Sequence, residues 1–188
     1  MRVIMMGPPG VGKGTQAAIL AGSLGVPAIS TGELFRAHVA DGTDLGRRLR
    51  TIVEAGQYVP DEITNALVAE RLDEADAHDG FILDGYPRTL AQVGELDRML
   101  EERGAELARV VLLTAATDTV VGRLLSRAAQ QKRADDDAEV IRHRISVYEQ
   151  ETAPLEEVYA DAGLLVRVDG SADQDEVARR VAAACRTE

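Results

Sequence analysis

Residues 7–16 read GPPGVGKGTQ and follow directly on the apolar run RVIMM at residues 2–6. The stretch lies one residue away from the pattern G-x-x-x-x-G-K-[ST], in which a glycine-rich loop cradles an anion. Here Gly14 follows Lys13, and the threonine arrives one place late, as Thr15. Glycines at 7, 10, 12 and 14 let the backbone wrap closely and turn its N–H groups inward. A helix beginning near Lys13 adds its positive end, the usual construction of an anion site. A glycine-rich strand-to-helix turn without a ligand needs no lysine at that spacing. Lysine is also rare in this chain. It occurs only at 13 and 132, against nineteen arginines, a preference for which coding bias is the plain explanation. The consequence holds either way, because an ammonium is a compact point charge on a slim stem and a guanidinium is not.

Outward from the loop, strand-like and helix-like segments alternate. Val3–Met6 reads as a buried strand, residues 13–24 as a helix stopped by Gly25, and Pro27–Ser30 as a second strand. Ser30-Thr31-Gly32-Glu33 has the S-x-x-E form of a helix capping box. Leu45, Leu49, Ile52 and Val53 share one helical face, and Ile63, Leu67, Val68 and Leu72 share another after Pro60-Asp61. Phe81–Leu83 is a third strand ending at Asp84, followed by a helix striped by Leu90, Val93, Leu96 and Leu100. Val110–Leu113 and Leu164–Val168 are the fourth and fifth strands. A long helical run from Glu139 is expected to bend at Pro154. Five apolar strands separated by helices predict an α/β fold in three layers, with a five-stranded parallel sheet covered on both faces. Ligands of such sheets sit at the carboxyl ends of the strands, where the glycine loop and Asp84 both fall.

Composition narrows the field. The chain has 188 residues, 45% of them apolar and 28% charged, with net charge −11. That suits one soluble domain and argues against nucleic-acid or anionic-membrane partners, which need a basic face. No apolar stretch is long enough to span a bilayer. MRVIMMG turns to glycine and proline too early for a signal peptide. The single cysteine, Cys185, can form neither an intrachain disulfide nor a zinc site. A cytoplasmic, monomeric protein is expected.

The shifted ending Gly14-Thr15 resembles the loop G-x-P-G-x-G-K-G-T-Q of the adenylate kinase and UMP/CMP kinase family. In that form the metal is held mostly by phosphates and waters. Further stretches resemble the family in the same order. They are Ser30-Thr31-Gly32-Glu33-Leu34-Phe35-Arg36, then Gly56-Gln57-Tyr58-Val59-Pro60-Asp61-Glu62, then Asp84-Gly85-Tyr86-Pro87-Arg88-Thr89 with Gln92. Gly122-Arg123, Arg127, Arg133-Ala134-Asp135-Asp136, Arg144, Tyr148, Thr152-Ala153-Pro154-Leu155 and Asp169-Gly170 complete the set, so that the resemblance covers essentially the whole chain.

The resemblance implies a P-loop kinase fold transferring a phosphoryl group reversibly from Mg-ATP to AMP, giving two ADP. Lys13, Arg88, Arg123, Arg133 and Arg144 become the catalytic cations. Gly10, Val11, Gly12, Lys13, Gly14, Thr15, Arg127 and Ala172 become the ATP side, with the donor adenine against main chain near Gly170–Ala172. Thr31, Arg36, Gln57, Tyr58, Val59, Gly85, Tyr86, Pro87, Arg88, Gln92, Arg133 and Arg144 become the AMP side. Thr31 and Gln92 accompany AMP in the family, where pyrimidine-specific relatives tend to carry Ala and Asn. Asp84 orients Mg2+ through water, or serves as a turn residue. Glu33 assists the metal or caps its helix, and Asp135 and Asp136 are lid contacts or a solvated run.

Arg127 and Arg133 stand only five residues apart, which leaves room for a short lid loop and none for a zinc-binding one. The expected division is a core of residues 1–29, 60–125 and 137–188, an NMP-binding insert at 30–59 and a short lid at 126–136. Insert and lid are expected to close over substrates and exclude water. A phosphate monoester is close to dianionic at neutral pH, since its second pKa is about 6. The acceptor therefore needs no general base, in keeping with histidines 38, 78 and 143 falling outside every motif.

Overall fold

The computed structural model describes residues 1–116, 118–124 and 138–186. Five strands form one parallel sheet: β1 (Arg2–Met6), β2 (Ala28–Ser30), β3 (Phe81–Asp84), β4 (Arg109–Thr114) and β5 (Leu165–Asp169). Their order across the sheet is β2-β3-β1-β4-β5. The chain therefore leaves β1 toward one edge, returns through β3, and crosses β1 to build the other edge. The crevice created by that reversal opens at the carboxyl ends of the strands.

The central strands explain the three layers. Side chains alternate across a strand, so a strand buried on both faces shares itself between two cores. On β1, Val3 and Met5 join the core formed with α1 (Lys13–Leu24) and α9 (Gln174–Ala184). Ile4 and Met6 join the opposite core, formed with α4 (Asp61–Leu72), α5 (Leu90–Glu102) and α8 (Leu155–Asp161). β4 divides likewise, with Val111 and Leu113 on the first side and Val110 and Leu112 on the second. Each such side chain, fully buried, contributes about 1.5–3 kcal/mol. Residues 118–124 are helical and are called α6, and α7 (Ala138–Val147) lies over the first face.

A third, smaller core sits apart. Phe35 of α2 (Thr31–Ala40), Leu49 of α3 (Asp44–Glu54) and Val59 pack together with Leu45, Ile52, Val53, Ile63 and Leu67. The face read before Gly56 lies wholly here, whereas of the face read after it only Ile63 and Leu67 do, Val68 and Leu72 joining the second core.

Two local readings are corrected. Ser30 occupies the N-cap position of α2, but its side chain makes no capping bond. It is still paired as a strand residue, opposite Asp84, and lines the cleft described below. The interruption of the long C-terminal helix begins at Tyr148, upstream of Pro154. Residues Tyr148–Thr152 form a widened π turn closed by Ala153 N–H donating to the Tyr148 carbonyl at 2.9 Å. Pro154 then stands at the start of α8, where its missing N–H costs nothing. Side-chain caps that do form are Thr43 on Gly46 N–H, Thr89 on Gln92 N–H and Asp173 on Glu176 N–H.

Candidate active site

The loop after β1 is shaped by what glycine lacks. Gly7 has φ +137°, and a Cβ there would meet the Leu113 carbonyl oxygen at 2.3 Å. Gly10 has φ +85° and lies so close to Leu124 that an added Cβ would sit 2.5 Å from its side chain. The loop is thus pressed down onto β4 and α6, and its residues Gly10–Thr15 line the cleft. Lys13 Nζ donates to the carbonyls of Gly7 at 2.7 Å and Pro8 at 2.9 Å, which holds the ammonium along the loop. Arg123 Nη1 donates to Val11 O at 3.0 Å and Gly170 O at 2.9 Å, tying the loop to the connection between β5 and α9.

The opposite wall is built on the segment after β3. Arg88 is fixed from three sides. Its Nε donates to Gly85 O at 2.7 Å, its guanidinium lies 4.8 Å from the centroid of the Tyr58 ring, and its backbone N–H donates to Gln92 Oε1 at 2.7 Å. Thr31 Oγ1 donates to the same Gly85 carbonyl at 2.9 Å. Thr152, in the π turn, donates to Arg88 O at 2.9 Å; its one hydrogen is then used, so Tyr58 O–H donates to Thr152 Oγ1 at 2.8 Å. Asp61, at the first turn of α4, accepts from Gln92 Nε2 at 2.6 Å and from Thr89 Oγ1 at 2.7 Å.

Between the walls runs a cleft of about 630 Å³. Its lining brings together Gly10, Val11, Gly12, Lys13, Gly14, Thr15, Arg36, Tyr58, Asp84, Gly85, Pro87, Arg88, Arg123, Arg144 and Ala172. A smaller hollow of about 60 Å³ adjoins it, lined by Thr31, Gln57, Val59 and Gln92 together with Arg36, Tyr58, Gly85, Arg88 and Arg144. Tyr86 is the exception. Its side chain is 1% exposed, packs in the second core, and donates to Asn65 Oδ1 at 2.8 Å. Its side chain is thus held in the second core and lines neither hollow. Arg127, Arg133, Asp135, Asp136 and the segment 126–136 lie outside the described residues.

The charge of the cleft opposes that of the chain. Lys13, Arg36, Arg88, Arg123 and Arg144 line it against two carboxylates, Glu33 and Asp84, on a chain of net charge −11. No histidine is among the described residues lining it. Burial raises the phenol of Tyr148, which faces the cleft, well above its ordinary pKa, and Glu156 adds to the shift. Such a phenol stays neutral across the physiological range. Asp84 closes β3 beside the loop, its Oδ2 only 3.3 Å from where a Cβ on Gly14 would stand. Among the described residues no three acidic, histidine or cysteine side chains cluster to cage a metal. Sequence reasoning gave no site role to Gln16, Asp61 or Thr152. All three fall in motifs quoted above, but their places depend on partners distant along the chain, such as Gln174 O for Gln16 Nε2 at 3.0 Å, which the motifs do not disclose.

A glycine loop, an ammonium and four guanidinium groups thus face one cleft with an adjoining hollow, an arrangement whose charge suits anionic ligands. Comparison with known proteins agrees. The family model described as adenylate kinase matches residues 5–164. The adenylate kinase of Kocuria rhizophila is 55% identical over 183 residues, 97% of either chain. That of Clavibacter michiganensis subsp. michiganensis is also 55% identical over 183 residues, covering 97% of this chain and 92% of its own. That of Thermobifida fusca is 48% identical over 187 residues, 100% of this chain and 99% of its own. A match that runs from the glycine loop through β4 and the π turn into α8, with relatives this similar along nearly their whole length, means that the chain belongs to the adenylate kinase family.

Proposed function

We infer that the cleft transfers a phosphoryl group reversibly between Mg-ATP and AMP, giving two ADP, and so maintains the balance of adenine nucleotides. The protein is a nucleoside monophosphate kinase, a transferase, as its family membership requires. The observation that carries the reading is the convergence of Lys13 on one wall and Arg88 on the other in a single cleft.

The chemistry asks for position and charge more than for covalent help. Two unit charges about 4 Å apart repel by roughly 4 kcal/mol at an effective dielectric of about 20, and donor and acceptor bring several. Fixed cations in a closed site offset that repulsion and stabilise the charge of the transferring group. In this reading Lys13 meets the donor's outer phosphates, with the backbone of Gly10–Thr15 around them. Arg36 and Arg88 grip the acceptor phosphate, where a planar guanidinium binds two oxygens at once. Arg123 and Arg144 close over the transferring group. Arg127 and Arg133 take their roles, at the donor and at the transferring group, from the family resemblance alone. Thr31, Gln57, Val59 and Gln92 hold the AMP base, while Ala172 lies by the donor adenine.

The donor set fits magnesium. Mg2+ keeps several waters and is bound through one or two carboxylates plus substrate phosphates, and no dedicated protein cage is needed. Asp84 would orient it, with Thr15 nearby on the loop. The ion would neutralise charge on the donor phosphates. No described helix is long and apolar enough to cross a membrane. We take the protein to act in the cytoplasm as a monomer, which sedimentation at micromolar concentration would check.

The decisive assay sets AMP, UMP, CMP and GMP against Mg-ATP with the purified protein. AMP should be turned over far faster than the rest. Turnover of UMP or CMP equal to that of AMP would move the protein to the pyrimidine branch. Binding of a single nucleotide without phosphoryl exchange would make it a switch.

A further inference from the structure

The carboxamide of Gln92, 2% exposed, is held at both ends by groups of fixed polarity. Nε2 lies 2.6 Å from Asp61 Oδ1, and Oε1 lies 2.7 Å from the backbone N of Arg88. A carboxylate only accepts and an amide N–H only donates. Turned over, the carboxamide would set its oxygen against a carboxylate and its NH2 against an N–H. Both contacts would be lost and both partners left repelled. The other oxygen of Asp61 is itself anchored by Thr89 Oγ1 at 2.7 Å, so the carboxylate cannot swing to follow. In this locked state Gln92 retains one N–H and one lone pair for a ligand.

We propose that Asp61 is a positioning residue that sets base selectivity by fixing which way round Gln92 presents its carboxamide. The proposal rests on the reading above that Gln92 meets the acceptor base. A 6-aminopurine offers an acceptor at N1 and a donor at N6. A 6-oxopurine offers the reverse, a donor at N1 and an acceptor at O6. The two edges require opposite orientations of the same carboxamide. With Asp61 and the Arg88 N–H permitting only one, the site reads the 6-amino edge and leaves a 6-oxopurine facing donor to donor and acceptor to acceptor. Mismatched buried polar groups of this kind discriminate far better than a change of shape.

The test is the ratio of kcat/KM for AMP over inosine monophosphate, with Tm recorded for every variant. Asp61→Asn keeps the shape but supplies an amide that can turn to suit either orientation of Gln92. The ratio should fall about tenfold, with KM for AMP rising, kcat changing little, and the inosine nucleotide gaining. A purely structural role for Asp61 would lower Tm and reduce both efficiencies by the same factor, and an unchanged ratio overturns the proposal. If Asp61→Asn does not fold, Asp61→Ser, whose hydroxyl both donates and accepts, carries the same expectation and the same refutation. Gln92→Ala separates the two levels. If it leaves the ratio intact, Gln92 does not read the base, and the base-pocket reading falls together with this proposal. If it collapses the ratio while the Asp61 variants do not, only the role of Asp61 falls.

Discussion

The guanidinium of Arg88 lies over the Tyr58 ring, 4.8 Å from its centroid, and both residues converge on the hydroxyl of Thr152. The ring therefore sets the angle at which the guanidinium enters the cleft. An interaction of this type is worth about 0.5–1 kcal/mol at a partly exposed site. Tyr58→Leu should raise KM for AMP about two- to fivefold with kcat changed less. A steady-state titration of AMP decides it.

Arg88→Ala removes a cation from the transferring group and little from the fold. The loss expected in kcat/KM for AMP is about 100-fold or more, by analogy with removal of a single charge-stabilising donor. Thermal unfolding should shift by only a few degrees, corresponding to at most about 1 kcal/mol. Equal turnover in the variant would mean that the acceptor phosphate binds elsewhere.

Two glycines should respond in opposite ways. Gly85 has φ +79°, and an added Cβ would lie 2.8 Å from Arg88 Nη2 and 3.0 Å from Thr31 Oγ1. Gly85→Ala should cost about 1–2 kcal/mol in backbone strain alone and displace the guanidinium, so that activity falls further than stability. Gly94 lies within α5 and meets nothing within 4 Å. Gly94→Ala should stabilise the protein by about 1 kcal/mol and leave kcat unaltered. Urea unfolding and initial rates on both variants provide the comparison.

Alkaline stability should depend on buried phenols. Burial is the main cause raising the pKa of Tyr86, Tyr148 and Tyr159. An acid whose folded pKa exceeds its unfolded value holds more protons in the native state. Its stabilisation is complete below the unfolded value, about pH 10, and is lost as pH rises above it. Tyr159 is 3% exposed, and its hydroxyl has no hydrogen-bond partner among the described residues. Tyr159→Phe should leave stability at pH 8 nearly unchanged. Above pH 10 it should lessen the fall in stability by about 1.4 kcal/mol per pH unit. Denaturant titrations at pH 8 and pH 11 would show this.

Phe35, Leu49 and Val59 give α2 and α3 a small core of their own, and we expect the two helices to move as a body. Amide exchange in residues 30–59 should slow when a dinucleoside pentaphosphate binds, while β1 and β4 stay as they were. Equal protection with and without that compound would argue against closure of the insert.

What the sequence disclosed depended on how local the cause was. The strands were readable because Val3–Met6 and Val110–Leu113 are unbroken apolar runs, the mark of strands buried on both sides. The glycine loop was readable because its geometry demands particular residues at fixed spacing. Ser30 misled for the opposite reason. Its capping pattern is real, but pairing with Asp84 across the sheet claimed the residue first. Tyr86 sits within a recognisable motif, yet which side of the chain it faces is decided by Asn65 and the second core. The links from Thr152 to Arg88 and from Asp61 to Gln92 join residues far apart along the chain. Only the folded arrangement of α4, α5 and the π turn reveals them.

Met6 pairs with Leu112, which sets Gly7 beside Leu113, where no side-chain atom fits. A slip of one position between β1 and β4 would drive a methionine into that gap and exchange the occupants of the two cores. The nucleotide loop therefore acts as a gauge on the assembly of the sheet beneath it. A chain that folds out of frame loses at the same moment the turn that holds Lys13 along the loop, so mispaired molecules should also be inactive ones.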